Sequence, residues 1–221
     1  MKEIYFTIES IAVQAAALLD EVDYLRQRHP FDLQPQSAAL LVLDMQDYFL
    51  KEHSHAFVPS APAVLPHIVH MQKLFLEKKL KVIQTRHVND PAQAGMMPKW
   101  WRELLTHTHP LSRITAELID PEAFIVEKTQ YDAFYETGLA AILAAQGVRQ
   151  VIITGVLTHL CCETTARSAF VHGFEVFFPV DGTADNNRQF HQATLLNLAH
   201  GFARPVLMEE LTVYLEKEYG P

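Results

Sequence analysis

The chain has 221 residues, of which 49% are hydrophobic and 20% charged, and its net charge is −8 at pH 7. These values are typical of one globular domain that is large enough to bury a substantial core. The chain contains no run of Lys and Arg of the kind that binds nucleic acid, and no apolar segment of about 20 residues that would span a membrane. We therefore expect no nucleic-acid partner and no membrane partner.

Two features favour a cytoplasmic location. The first residues, MKEIYFTIES, do not resemble a secretory signal. The two cysteines, Cys161 and Cys162, are adjacent in the sequence, so they cannot form an ordinary disulfide with each other. A protein of the reducing cytoplasm is expected.

Six apolar runs alternate with helix-like stretches along the chain. Continuous apolar runs are typical of parallel strands that are buried on both faces. The runs lie at 38–44, 80–85, 123–127, 150–154, 174–178 and 204–208. The helix-like stretches lie at 62–78, 134–146, 160–172, 187–200 and 209–218. This order predicts an α/β fold of the Rossmann-like type, a three-layer α/β/α sandwich around a parallel sheet.

Two regions stand outside the alternation. An amphipathic helical stretch at 8–28, within an N-terminal extension 1–37, could pack on its own subunit or reach another. The long segment 89–121 contains four prolines and the Trp100–Trp101 pair, predicted on a short helix, and is a candidate lid. Because no repeat or linker interrupts the chain, a single domain 1–221 is expected.

Three reactive side chains follow ends of predicted strands. Asp44 ends the first run, Lys128 follows the third, and Cys161 follows the fourth at the start of a helix. Since parallel sheets bind ligands at the carboxyl ends of their strands, these side chains are expected to meet at one edge. Each alone has an ordinary explanation: a capping Asp, a solvated Lys, or a small buried Cys.

Together the three side chains suit nucleophilic catalysis. Cys161 would attack as a thiolate, favoured by the helix N-terminus and by the ammonium of Lys128. Asp44 would take the thiol proton and return it to the leaving group, with Lys128 holding it in place. The backbone N–H groups of Leu157 and Cys161 would form the oxyanion hole. Cys162 points elsewhere on the helix and is interpreted as packing.

Three motifs carry a family resemblance. The strings LLVLDMQDYF, EKTQYDAF and GVLTHLCCETTARSAFVHGFEVFFPVDGTAD resemble the isochorismatase-like (cysteine) hydrolase superfamily, from about residue 38 to 208. The resemblance implies a six-stranded parallel sheet with helices on both sides and an Asp–Lys–Cys site, which matches Asp44, Lys128 and Cys161. It also implies a cis peptide bond between Val156 and Leu157.

Two kinds of chemistry remain open within the superfamily. The segment GVLTHLCC resembles isochorismatases at His159 and Cys162. Isochorismatases hydrolyse a vinyl ether, however, and differ from this chain at the nucleophile position, where they carry Gly in place of Cys161. A thiol at that position favours hydrolysis of a small amide, ureide or carbamoyl compound. The alternatives are isochorismatase-type hydrolysis with Asp44 as acid, and a catalytically silent binding module.

The same resemblance bears on metal and substrate binding. Nicotinamidases bind a metal through an Asp-x-His segment and a further His, and of these only His87 is present in TRHVNDPAQAG. No metal and no cofactor are therefore expected. Family members commonly form dimers or tetramers, so a homo-oligomer that acts on a small molecule is expected. The candidate substrate contacts are Phe49, Arg86, His87, Trp100, Trp101, Tyr131 and His159.

Overall fold

A computed structural model of the protein, which describes residues 2–218, contains a parallel sheet flanked by helices. The sheet order is β3-β2-β1-β4-β5-β7, and the short β6 pairs with β4 beside this path. The strands are β1 (Ala38–Leu43), β2 (Lys81–His87), β3 (Phe124–Lys128), β4 (Gln150–Val156), β5 (Glu175–Pro179), β6 (Thr183–Ala184) and β7 (Arg204–Val206). The predicted α/β fold with a parallel sheet is confirmed, and β6 is an additional strand.

Nine α-helices lie within the described residues. They are α1 (Ile11–Asp20), α2 (Asp23–Arg26), α3 (Asp47–Leu50), α4 (Ala61–Glu77), α5 (Met97–Trp100), α6 (Leu139–Ala145), α7 (Glu163–Val171), α8 (Arg188–Gly201) and α9 (Met208–Glu218). Over residues 2–218, none of them combines the length and the apolar character that crossing a bilayer requires.

The centre of the sheet is the pair β1 and β4. Every residue of both strands is buried, which explains why their sequences are apolar without alternation. Gly155 in β4 has a φ of 113°, and a Cβ at this position would lie 2.0 Å from the backbone oxygen of Leu43 in β1. Only glycine allows the two strands to approach each other this closely just before the loop that carries Cys161.

The N-terminal stretch packs on its own chain and forms two helices rather than one. Helix α1 ends before Glu21, and α2 begins at Asp23 after a short break. The inner face of α1, which includes Ile11 and Leu18, belongs to the same hydrophobic core as the sheet. Arg26 at the end of α2 forms an ion pair with Glu210 of α9. This shared core supports our proposal that the chain forms a single domain, of which Met1 and residues 219–221 lie outside the described part.

Helix α6 is shorter than the predicted stretch 134–146, because a turn occupies its expected first residues. The Asp132 carboxylate accepts the Phe134 N–H at 2.8 Å. Glu136 has a φ of 51°, which is incompatible with a right-handed helix. Side-chain hydrogen bonding to nearby backbone thus competes with helix formation here, and α6 begins at Leu139.

Candidate active site

Asp44, Lys128 and Cys161 meet at the carboxyl edge of the sheet. Asp44 directly follows β1, Lys128 is the last residue of β3, and Cys161 lies in a π-helical turn between β4 and α7. The Lys128 Nζ atom lies 2.7 Å from Asp44 Oδ2 and 3.5 Å from Cys161 Sγ. All three residues are buried. The peptide bond between Val156 and Leu157, before this turn, is cis, as the resemblance implied.

Thr85 of β2 holds the Asp44 carboxylate in place. Its hydroxyl donates a hydrogen bond to Asp44 Oδ1 at 2.6 Å and accepts the Asp44 N–H at 3.1 Å. Asp44 has a φ of 53°, so the chain turns sharply as it leaves β1. The second carboxylate oxygen, Oδ2, lies 2.7 Å from the Lys128 ammonium. One oxygen is therefore held by Thr85 and the other by Lys128.

Lys128 is fixed by two carbonyl groups of the loop that follows β3. Its ammonium donates hydrogen bonds to the backbone oxygens of Gln130 at 2.9 Å and Tyr131 at 3.1 Å. Burial by itself would lower the pKa of this lysine, but the neighbouring Asp44 and Cys161 raise it above its ordinary value. Lys128 is therefore a permanent cation at neutral pH.

The proton in the site resides on sulfur. Burial raises the pKa of the Cys161 thiol, and the adjacent Asp44 carboxylate raises it further against the opposing effect of Lys128. Burial would also raise the pKa of Asp44, but Lys128, His87 and hydrogen bonding from Cys161 hold it below its ordinary value. The resting site thus contains a carboxylate, an ammonium and a neutral thiol, rather than the thiolate expected from the helix position.

Cys161 opens onto a cavity of about 170 Å³. Leu157 lies in the cavity wall beside Cys161, where the oxyanion hole is expected. An engineered cavity of about 150 Å³ in another protein holds a benzene ring, so this cavity has room for one small ring. The remaining lining residues are Lys2, Tyr48, Phe49, His55, Ala56, His87, Asn89, Met97, Trp101, Glu103, Leu105, Tyr131, Leu160 and Asn186.

Four of the seven candidate substrate contacts lie in this wall. They are Phe49, His87, Trp101 and Tyr131. Trp101 belongs to the 89–121 segment, and its indole N–H donates a hydrogen bond to the Tyr131 hydroxyl at 2.6 Å. The long segment therefore covers part of the cavity, as a lid would.

The other three candidates, Arg86, Trp100 and His159, lie outside the wall. The Arg86 guanidinium binds Ser112 and Glu127 instead of facing the cavity. The Trp100 side chain is 73% exposed. His159 Nδ1 lies 2.8 Å from both carboxylate oxygens of Asp185. We therefore leave these three residues out of the proposed substrate contacts.

Sequence reasoning missed several polar residues of the site. Thr85 and Asn89 lie close to the carboxyl end of β2. Their position at a strand end is the feature of the sequence that could have identified them as site residues. Tyr48, His55 and Glu103 come from three separate segments, and no spacing in the sequence links them. The Tyr48 hydroxyl lies 3.3 Å from both the His55 ring and the Glu103 carboxylate, at the mouth of the cavity.

The residues around His87 do not fit a metal site. The position two residues before His87, where an Asp-x-His segment has its carboxylate, is Thr85, and its hydroxyl donates to Asp44. Over residues 2–218, no group of three or more His, Cys, Asp or Glu side chains is arranged to hold a metal ion. Three such ligands are the usual minimum for a protein zinc site.

Comparison with known proteins identifies the family. Residues 38–210 match the family model for the isochorismatase domain. The chain belongs to the isochorismatase family. This match includes β1 through the first residues of α9, and thus all three residues of the buried Asp–Lys–Cys cluster.

Relatives in this family have different names. The chain is 38% identical to Nicotinamidase 3 of Arabidopsis thaliana over 180 residues, which cover 79% of this chain and 86% of the relative. It is 30% identical to Enterobactin synthase component B of Escherichia coli (strain K12) over 202 residues, 90% of this chain and 70% of the relative. The crystal structure of a cysteine hydrolase from Pseudomonas syringae pv. phaseolicola 1448A covers 86% of this chain and 97% of its own, with a TM-score of 0.82 and 23% identity. That structure supports the fold.

Proposed function

We propose that this isochorismatase-family hydrolase cleaves the C–N bond of a small, uncharged amide, ureide or carbamoyl compound through a thioester on Cys161. The observation that carries the proposal is the buried contact of one ammonium, Lys128, with both a carboxylate at 2.7 Å and a thiol at 3.5 Å. These groups lie beside a small cavity into which Cys161 opens. The similarity to a nicotinamidase supports amide hydrolysis.

The first half of the proposed reaction forms the thioester. The thiol sulfur attacks the carbonyl carbon as its proton passes to the Asp44 carboxylate, with which Cys161 is hydrogen-bonded. The backbone N–H groups of Leu157 and Cys161 stabilise the oxyanion. Asp44 then gives the proton to the nitrogen, the C–N bond breaks, and ammonia or an amine leaves.

The second half releases the acid. Water attacks the thioester carbonyl while Asp44 accepts one of its protons. The C–S bond then breaks, and the proton returns to sulfur to restore the neutral thiol. Lys128 keeps Asp44 ionised between the two halves, because its charge holds the pKa of this carboxyl down. No metal or cofactor is needed in either half.

The charge of the cavity supports an uncharged substrate. Lys2 in the wall carries an ammonium, which already donates hydrogen bonds to two backbone carbonyls. His87 is neutral, because burial and Lys128 lower its pKa to about 4. Glu103 adds a negative charge at the mouth. A ligand with two carboxylates, such as isochorismate, would be poorly compensated here.

The second candidate function is isochorismatase-type hydrolysis of a vinyl ether, with Asp44 as the proton donor. The family membership favours it. It requires Asp44 to be protonated in the resting enzyme, whereas Lys128 holds the pKa of Asp44 below its ordinary value of 3.8. The ionisation of the site therefore favours the amidase proposal.

The test is a parallel screen of small amides, ureides and isochorismate with wild type, Cys161→Ala and Cys162→Ala. Cys162 is a matched control, because it is equally buried and adjacent in sequence. We expect amide turnover in wild type, its loss in Cys161→Ala, and its retention in Cys162→Ala. Release of pyruvate from isochorismate by Cys161→Ala would instead support the second candidate. A wild type that processes none of these compounds would favour the binding module.

We also propose a cytoplasmic homo-oligomer, a dimer or a tetramer. Both cysteines are free and buried, as suits a reducing compartment. Phe124 and Ile125 of the edge strand β3 are about half exposed, at 49% and 51%, and a second copy of the chain would cover them. Light scattering coupled to gel filtration tests this proposal, and a monomer at micromolar concentration would contradict it.

A further inference from the structure

Residues 2–6, which we call the N-terminal strap, join two loops beside the cavity, and the proposed reaction steps do not use them. On one side the strap is bonded to the loop 55–57, part of which lines the cavity. The Lys2 ammonium donates hydrogen bonds to two backbone oxygens of this loop, at 2.7 and 2.6 Å. The Tyr5 N–H donates to the hydroxyl of the buried Ser60 at 3.0 Å. The strap is therefore fixed to the segment that precedes α4.

On its other side the strap is bonded to the loop that follows β6. The Glu3 N–H donates to the backbone oxygen of Asn186 at 2.8 Å, and the Glu3 carboxylate accepts the Arg188 N–H at 2.7 Å. The Tyr5 hydroxyl accepts the Asp185 N–H at 2.8 Å. Asn186 lies in the cavity wall. The strap thus connects two parts of this wall that are far apart in the sequence.

The loop after β6 also holds the segment that carries the nucleophile. The carboxylate of Asp185, which is completely buried, accepts the His159 N–H at 2.7 Å and lies 2.8 Å from Nδ1 of the His159 ring. His159 belongs to the π-helical turn Thr158–Cys162, two residues after Leu157 and two before Cys161. A displacement of Asp185 would therefore be transmitted to this turn through both of its contacts with His159.

The Tyr5 hydroxyl is well placed to fix Asp185. It lies 2.8 Å from Nδ1 of His191 in α8, a ring that is neutral because burial lowers its pKa to about 3. Burial and the Asp185 charge raise the pKa of Tyr5, so its hydroxyl keeps its proton. The hydroxyl can therefore donate to His191 while it accepts the Asp185 N–H. A phenyl ring could do neither, and the Asp185 N–H would lose its partner.

We propose that Tyr5 is a positioning residue for the nucleophile: its hydroxyl fixes Asp185, and the Asp185 carboxylate fixes the turn 158–162. This keeps the Cys161 sulfur and the Leu157 N–H in the relative position that attack on a carbonyl group requires. The inference rests on the proposed thioester chemistry for the use of this turn. It adds to the active site a segment that precedes the whole sheet in the sequence.

Tyr5→Phe tests the role of the hydroxyl, because it keeps the ring. With the amide that wild type hydrolyses best in the screen, we expect kcat to fall about tenfold while KM stays within about twofold, since small misplacements of reacting groups mainly slow the chemical step. Tyr214→Phe is the matched control: its hydroxyl donates to Asp32 at 2.6 Å on α9. The control should keep the kcat of wild type. An unchanged kcat in Tyr5→Phe, or a change in KM alone, would overturn the proposal.

A second pair of variants tests the strap from its exposed side. Glu3 is exposed, so Glu3→Ala removes the acceptor for the Arg188 N–H without a change in the core. Glu3→Gln keeps an oxygen that can accept this bond. We expect Glu3→Ala to lower kcat about threefold and Glu3→Gln to restore it. Equal kcat values for the two variants would contradict the role of the strap.

Hydrogen exchange followed by mass spectrometry tests the coupling without a substrate. In Tyr5→Phe, the amides of 157–162 and 185–188 should exchange about fivefold faster than in wild type, a larger factor than for the amides of β1 and β4. Unchanged exchange in 157–162, or one equal factor throughout the chain, would overturn the positioning role. If exchange increases locally but wild type hydrolyses no amide, the proposed function fails while the coupling between the strap and the turn holds.

Discussion

Replacing Lys128 with Met should destabilise the protein severely, because it leaves the Asp44 carboxylate without its cation. Lys128 and Asp44 side chains are completely buried, and their charged atoms lie 2.7 Å apart. Removing one partner of a buried ion pair costs about 3–5 kcal/mol in the free energy of unfolding. This is a large part of the about 5–15 kcal/mol that stabilises a typical domain. The double variant Asp44→Asn/Lys128→Met, which removes both charges, should be less destabilised than Lys128→Met.

The pH dependence of this loss follows from the pKa of Asp44. In wild type that pKa is below 3.8, so the stability that Asp44 contributes is present above the unfolded pKa, near 4, and is lost only as pH falls through the lower folded value. In Lys128→Met, burial acts without the ammonium and raises the pKa of Asp44. The folded variant then binds a proton that the unfolded chain does not. As the pH falls from 7 to 5, the difference in the free energy of unfolding between wild type and Lys128→Met should therefore shrink, by up to about 1.4 kcal/mol per pH unit.

The assay is urea denaturation followed by circular dichroism at pH 7 and pH 5. Lys73→Met is the matched control, since the Lys73 side chain is 71% exposed and contacts Glu77 at 3.7 Å on the surface. It should change the free energy of unfolding by less than about 0.5 kcal/mol at either pH. A Lys128→Met variant within about 1 kcal/mol of wild type, or with the same deficit at both pH values, would refute the reasoning.

Three other substitutions test the positions around the site. Thr85→Val removes the hydroxyl that holds Asp44, and should lower kcat about tenfold or more with little change in KM, while Thr85→Ser restores activity; an unchanged kcat in the Val variant would contradict this role. Glu103→Ala removes the carboxylate that lies 3.1 Å from His55 at the cavity mouth. We expect KM to rise by a factor several times larger than the factor by which kcat falls. Steady-state kinetics that show only a lower kcat would contradict this expectation. Gly155→Ala would place a Cβ 2.0 Å from a β1 backbone oxygen, and should give no folded protein by circular dichroism; a variant as stable as wild type would be incompatible with the strand packing.

The sequence predicted the central strands well, because burial on both faces requires apolar residues throughout. The run 150–154 corresponds to β4, which extends two residues further. The same reasoning does not reveal where a strand lies in the sheet: the run 123–127 corresponds to β3, an edge strand with its first two residues half exposed. Strand β6 has two residues and was missed, because so short a segment has no measurable pattern.

The site was partly predictable for the same reason. Asp44, Lys128 and Cys161 were expected to meet because the carboxyl ends of parallel strands share one edge, and the structure brings them together. Successive side chains of β2 point to opposite faces of the sheet. Arg86 therefore binds Ser112 and Glu127 on one face. Its neighbours are on the other face, where Thr85 contacts Asp44 and His87 lines the cavity. The ionisation of the thiol was not predictable, since it depends on a degree of burial that only the folded chain reveals.

The central claim is that a thioester on Cys161 is the intermediate, and partitioning with hydroxylamine tests it most directly. Hydroxylamine competes with water for a thioester and converts the acyl group to a hydroxamate. Nicotinamide and methyl nicotinate share one acyl group, so a common thioester should give the same ratio of hydroxamate to acid from both substrates. We also predict that Cys161→Ala forms neither product and that Cys162→Ala behaves as wild type. Ratios that differ between the two substrates, or continued turnover by Cys161→Ala, would contradict the account.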